Sequence, residues 1–290
     1  MGQFRTEAGT SSTTAGEVAR TLETAAFSAS GGQQPLIWGA RERPLDRIVV
    51  TWSAGIEFLE EVAATGPALI VTRVHPFFAA PQLWDPAILS GVELSGGATL
   101  EPVSRKHRLL EESGIILVFA PVAWAGSPAD RSRALADRIG LGTPVAAHED
   151  GGVVVDLPSP LLARDLARTA ARVAGRSYAL VTGGLERSLS RFGVVAGIAS
   201  PPTIMHLAGA GAGELLIIGS TVEWEGLPYA QDSTSAARPV TLVAIGNQAS
   251  EDPAGERLAA RLGEVYPGVH VEWRPTPDAT WIPIPEEVGR

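Results

Sequence analysis

Short apolar runs alternate along this chain with stretches whose apolar residues recur every three or four positions. Residues 47–52 form a β-branched run, and residues 56–64 follow at helical spacing, closed by Gly66. Residues 68–72 are a second buried run. Strand, helix, strand with short links predicts a βαβ unit, because parallel strands need a crossover connection. A second cycle follows: a helix over 106–113 capped by Gly114, a strand over 115–119, and a helix from Ser127 to Ile139 ended by Gly140. Further on, 161–174 reads as a strong Ala- and Arg-rich helix, and 193–199, 215–218 and 240–245 read as apolar strands. A last helix is expected over about 253–265 and a final strand over 269–273.

Punctuation between these segments divides the chain. Residues 1–35 contain a helix over 16–26 and a flexible link. Gly151-Gly152 and the run Leu157-Pro158-Ser159-Pro160 mark the expected boundary between a first half, 36–150, and a second half, 151–290. The C-terminal part of the second half is expected to pack back on the first, ending in an extended Pro-rich tail. The fold class is α/β.

Composition narrows the function classes. The 290 residues are 45% hydrophobic and 19% charged, which excludes a disordered chain. No apolar run approaches the ~20 residues that span a bilayer. The first seven residues have no apolar h-region, so no signal peptide is expected and a soluble, cytoplasmic protein is. The formal charge is −9, and the only lysine is Lys106. Without a clustered basic footprint, nucleic acid is not an expected partner. Cysteine is absent, which removes disulfides, thiolate catalysis and Cys-ligated metals. Any metal would fall to carboxylates or to His75, His107, His148, His206 and His270.

Familiar catalytic signatures are missing. Gly209-Ala210-Gly211-Ala212-Gly213 precedes a strand instead of following one, so a turn is expected there and not a dinucleotide site. There is no phosphate loop with its lysine, and no Gly-x-Ser-x-Gly elbow. Three strand ends carry polar tips instead. Arg73 and His75 follow the strand at 68–72; Glu223, Trp224 and Glu225 follow 215–218; Gly246, Asn247, Ser250 and Glu251 follow 240–245. Ligand sites of α/β sheets lie at such ends, and these three suggest one shared cleft. Structural alternatives stand beside each: a hydrogen-bonded core histidine, a surface helix with incidental aromatics, and a helix N-cap.

Taken in order, these segments resemble the Nif-three-like family of dinuclear-metal-centre hexameric proteins, some of which carry the label GTP cyclohydrolase I type 2. The resemblance covers roughly residues 17–285. Glu223, Trp224, Glu225, Tyr229, Asp232, Gly246, Ser250 and Glu251 fit a Gly-Glu-x-x-Glu-Trp-Glu-x-x-x-Tyr-x-x-Asp segment followed by Gly-His-x-x-Ser-Glu. It implies two interlinked three-layer α/β halves with mixed sheets flanked by helices, assembled as a hexamer that is a trimer of dimers. The tail, with Trp281, is expected between subunits.

The departures from that pattern carry most of the functional reading. The family's His-His-Pro is Val74-His75-Pro76 here, its aspartate falls at Trp124 or Ala125, its Gly-Glu is Gly219-Ser220, and its Gly-His is Gly246-Asn247. His75 and Glu251 alone remain as metal donors, where two metals want five or more. His148 or His206 can add donors only if the fold brings them in. No cofactor is therefore expected beyond, at most, one weakly held zinc, manganese or iron ion. The expected function is a homo-oligomeric small-molecule-binding or scaffold protein without metal-dependent activity. The alternative is a metal-free or single-metal enzyme of hydrolase or cyclohydrolase type acting on a small heterocycle or amide. In that case His75 and Glu251 form the acid/base pair, the carboxylate raising the imidazole pKa. Substrate contacts fall to Arg73, Trp124, Glu223, Trp224 and Asn247.

Overall fold

The computed structural model describes residues 12–24, 35–78, 101–121, 123–124, 127–212 and 214–276. The expected helix end at Ala26, the Ala125 position and the tail with Trp281 lie outside these residues. The chain forms two units: Met1–Ala123 with Ala259–Arg274, and Trp124–Leu258 with Pro275–Arg290. The Leu157–Pro160 run lies inside a strand, where the pairing register shifts between Asp156 and Leu161 and so accommodates both prolines.

The first unit opens with α1 (Ala15–Glu23), whose Thr14 and Glu17 form a reciprocal cap: Thr14 N–H donates to the Glu17 carboxylate at 2.8 Å, and Glu17 N–H to Thr14 Oγ1 at 3.3 Å. Then come β1 (Leu36–Trp38), β2 (Arg47–Thr51), α2 (Ile56–Ala64), β3 (Leu69–Thr72), α3 (Glu101–Ser113) and β4 (Ile116–Phe119). The sheet order is β1-β4-β3-β2-β11, with the last strand, β11 (His270–Trp273), pairing parallel to β2 and only β1 antiparallel. The expected βαβ unit is present. Strands β3 and β4 are buried along their whole length, as a parallel sheet covered on both faces requires. On one face Val49, Ile70 and Leu117 pack with Phe58, Leu59 and Val62 of α2 and Leu110 of α3.

The second unit contains α4 (Pro128–Ile139), β5 (Thr143–Ala147), β6 (Val153–Leu162), α5 (Ala163–Val173), β7 (Leu180–Thr182), β8 (Ser188–Ala199), α6 (Pro201–Leu207), β9 (Leu215–Thr221), α7 (Glu223–Ser235) and β10 (Thr241–Ala244). Its mixed sheet runs β5-β6-β8-β9-β10-β7, with β8, β9 and β10 mutually parallel. Alternate residues of β9 serve opposite faces. Leu215 and Ile217 join the core under α4 and α5, while Leu216 and Ile218 join the one that includes Ile204, Leu207 and Ala230 of α6 and α7. The Gly-Ala segment leading into β9 continues α6 as one π turn, Ala208–Ala212, broken by Gly211 at φ 77°. It is a connection before a strand, as its position suggested. Helix α8 (Asn247–Val265) begins six residues earlier than expected and keeps Pro253 inside it; the division between units falls within this helix, after Leu258. No described helix is long and apolar enough to cross a membrane.

Candidate functional site

At the end of β3 the backbone N–H groups of Arg73 and Val74 both donate to Trp52 O, at 3.2 and 3.0 Å, fixing the turn that carries His75. The His75 side chain is buried, its ring meeting the edges of Trp38 and Phe119 at centroid distances of 5.3 and 5.1 Å. Phe77 stacks flat on His107 at 4.2 Å. Phe77 N–H donates to His75 Nδ1 at 3.2 Å, so Nδ1 has no proton and the neutral ring carries its hydrogen on Nε2. Burial, with Lys106 adding to it, holds the imidazole below its ordinary pKa. That direction is the reverse of what a carboxylate partner produces. Lys106 projects from α3 into the same turn: its ammonium donates to Pro76 O at 2.6 Å and lies 4.5 Å from the centre of the Phe78 ring. Burial lowers its pKa to about 8.

The second unit builds its strand-end site on three glycines, one each at the ends of β8, β9 and β10. Gly197 N–H donates to Ser250 Oγ at 2.9 Å, Gly246 N–H donates to Gly219 O at 2.9 Å, and Ser250 Oγ donates to Asn247 O at 2.7 Å. Side chains are excluded by contact. A Cβ on Gly219 would overlap Gly197 O and sit 2.5 Å from Ser250 Oγ and 2.8 Å from Asn247 Oδ1. Gly197 and Gly246 have φ of 83° and 94°, where a side chain is also strained. The first turn of α8 thus seats directly on bare backbone, which explains Gly246, Ser250 and Glu251 without invoking chemistry.

Glu251 is 3% exposed, and its Oε1 lies 3.4 Å from Arg131 Nε. Trp124, 1% exposed, donates its indole N–H to Glu251 O at 3.1 Å. Ser220 Oγ donates to Asn247 Oδ1 at 2.8 Å on the half-buried rim. Glu223 and Trp224 begin α7 and are exposed, Trp224 at 79%. Asp252, next along α8, is held near pKa 7 by burial, with Glu256 and Glu251 pushing the same way against Arg176 and Arg138. Its Oδ1 is enclosed and has no hydrogen-bond partner.

The predicted residues therefore fall in two places. Arg73 and His75 stand in the first unit; Trp124, Glu223, Trp224, Asn247 and Glu251 stand in the second. Within the second, Trp124 and Glu251 are framework rather than open surface, while Asn247, Glu223 and Trp224 reach solvent. Lys106, Arg131, Asp252, Gly197 and Gly219 were not singled out by sequence as site residues. The lone lysine was a usable signal, since it lies four positions before the buried Leu110 on one helix face.

These surroundings do not fit a dinuclear metal. A metal-bound imidazole keeps its proton on the nitrogen turned away from the metal. At His75 an Nε2-bound metal would put that proton on Nδ1, against the incoming Phe77 N–H. Glu251 is neutralised by Arg131. Among the described residues no group of three or more His, Asp and Glu side chains gathers as a metal site needs.

No protein-family model and no curated protein sequence matches the chain. Solved structures do match. A Bacillus cereus protein related to NIF3 superposes with TM-score 0.69 at 12% identity, covering 94% of this chain and 99% of that one. Staphylococcus aureus hypothetical protein SA1388 gives 0.68 at 12%, covering 94% and 100%. Reduced HcgD from Methanocaldococcus jannaschii gives 0.62 at 15%, covering 89% and 96%. The chain has the fold of these three structures over nearly its whole length.

Proposed function

We propose that this chain is a divergent Nif-three-like protein that has lost most of the dinuclear-metal ligands. On this reading it binds a small polar molecule or acts as a scaffold, without metal-dependent activity. The observation that carries the reading is the pairing of the two surviving donors. His75 Nδ1 accepts a backbone N–H, and the Glu251 carboxylate has its Oε1 3.4 Å from Arg131 Nε, a cation that competes with a metal for its charge. Trp124, one of the two positions at which the family's aspartate would fall, is a buried indole bonded to backbone, and Asn247 accepts from Ser220 through its carbonyl oxygen. On the second unit the ligand would meet Asn247, Glu223 and Trp224; on the first, Arg73 and His75 line the corresponding strand end.

The protein works in the cytoplasm as a homo-oligomer, a hexamer built as a trimer of dimers. Light scattering checks the assembly, with a mass about six times the 30.3 kDa chain expected and a clean monomer counting against it. Metal content by mass spectrometry tests the central claim. The protein is purified without chelators or a histidine tag, then incubated with zinc, manganese and iron. Near-zero occupancy per chain is expected throughout. One or two tightly held ions per chain would overturn the reading and return weight to a hydrolase.

A further inference from the structure

Lys106 is the only lysine in 290 residues, and it is 3% exposed. An ammonium has three N–H donors. One goes to Pro76 O, and no other acceptor is in reach among the described residues. No carboxylate among them lies within ion-pair distance. The neighbours are a neutral His75 and the π face of Phe78. A buried cation lacking a counter-ion is costly, by several kcal/mol for an unpaired ammonium. The lowered pKa of about 8 expresses that cost, yet at neutral pH the group is still mainly charged. Proteins keep such a group neutral, pair it internally, or pair it with something that binds.

Phe78 points to the third case. It is a bulky residue at φ 60°, a region that costs non-glycine residues about 1–2 kcal/mol. Its ring is 64% exposed while one face covers the ammonium. The aromatic face stands where a counter-ion belongs, and cation–π attraction, about 0.5–2 kcal/mol, is a weak replacement for one.

We propose that Lys106 is the floor of a binding site for a small oxoanion, a carboxylate or a phosphate, which enters at the end of β3 when the Phe78 ring swings off the ammonium. The site stands apart from the contacts proposed on the second unit, and its test does not read metal content.

Incorporating lysine labelled with carbon-13 at the ε position gives a single side-chain resonance, since the sequence holds one lysine. The labelled protein is titrated at pH 7 and constant ionic strength with sodium acetate and, separately, with inorganic phosphate. A saturable shift of that resonance with at least one anion is expected, at a Kd of about 1 mM or tighter. Acetate alone would assign a carboxylate ligand, phosphate alone a phosphate. Lys106→Met should lose the calorimetric binding signal at least tenfold, and Phe78→Ala should change the Kd severalfold. The proposal is overturned if the resonance drifts linearly with both anions. It is equally overturned if anion-free protein already shows an ordinary lysine pKa, which would reveal a carboxylate of the chain itself as partner. The titration needs no variant, so a misfolded Lys106→Met would not leave the question open.

Discussion

Replacing Gly219 by alanine tests the seating of α8 on the strand ends. The new methyl group would overlap Gly197 O and stand 2.5 Å from Ser250 Oγ and 2.8 Å from Asn247 Oδ1. Asn247 Oδ1 can rotate aside, but Gly197 O is backbone and Ser250 Oγ is wholly buried on the first turn of α8, so relief requires lifting that turn. Overpacking of this kind costs about 1–3 kcal/mol. Moving Ser250 also breaks its bond from the buried Gly197 N–H, and an orphaned buried donor adds about 1–3 kcal/mol. The expected loss is about 2–6 kcal/mol, or roughly 4–24 °C in Tm for a chain of this size. Urea unfolding followed by circular dichroism measures it. Gly184→Ala, where an added Cβ meets nothing within 4 Å, should stay within about 0.5 kcal/mol of the parent. The double change Gly219→Ala with Ser250→Ala should recover part of the loss, because the hydroxyl in the way is gone. An unchanged midpoint and slope for Gly219→Ala would refute the seating argument.

Three further outcomes follow from buried polar groups. Asp252 has its pKa raised from 3.8 to about 7, so it favours folding when protonated and the contribution fades as pH rises from about 4 to 7. At about 1.4 kcal/mol per pH unit the ceiling is about 4 kcal/mol, and solvent on the open side of the carboxyl brings the expectation to about 2. Asp252→Asn should therefore match the parent near pH 4 and exceed it at pH 8; parallel stability curves would exclude this. Ser132, wholly buried, donates to Gly151 O at 2.5 Å and accepts from Ala196 N–H at 3.0 Å, so Ser132→Ala should lower stability by about 2–4 kcal/mol in thermal unfolding. Trp124→Phe should cost about 1–3 kcal/mol through the bond to Glu251 O, measured the same way.

The strands and helices with strong periodicity were legible because one short-range pattern decides them: Ile48, Val49 and Val50 in β2, or the alternation of Leu215 to Ile218. The short strands β1, β5 and β7 were not, since three to five residues with exposed or half-exposed side chains carry little hydrophobic signal. The Pro158 and Pro160 pair read as a linker because proline ordinarily ends a strand, and only the register shift inside β6 absorbs it. The fold agrees with the family resemblance. The roles within those segments were harder. Ser250 and Glu251 looked dispensable to a core, yet both are buried, and the reason lies in Gly197 and Gly219, some 50 and 30 positions away. Lys106 belongs to no sequence motif, and its environment comes from residues 76–78, some 30 positions away.

The place of β11 sets an order of events during synthesis. Roughly 150 residues separate Ala123 from Trp273, and only the latter segment gives β2 its outer neighbour. At about 5–20 residues per second, some 220 residues of synthesis keep the hydrogen-bonding edge of Ile48, Val49 and Val50 open for about 11–45 seconds after they leave the ribosome. Every strand of the second unit's sheet, β5 to β10, is synthesised before β11. The sheet begun first is therefore closed last, and a chain that ends before residue 270 carries an apolar parallel edge ready to pair with another chain.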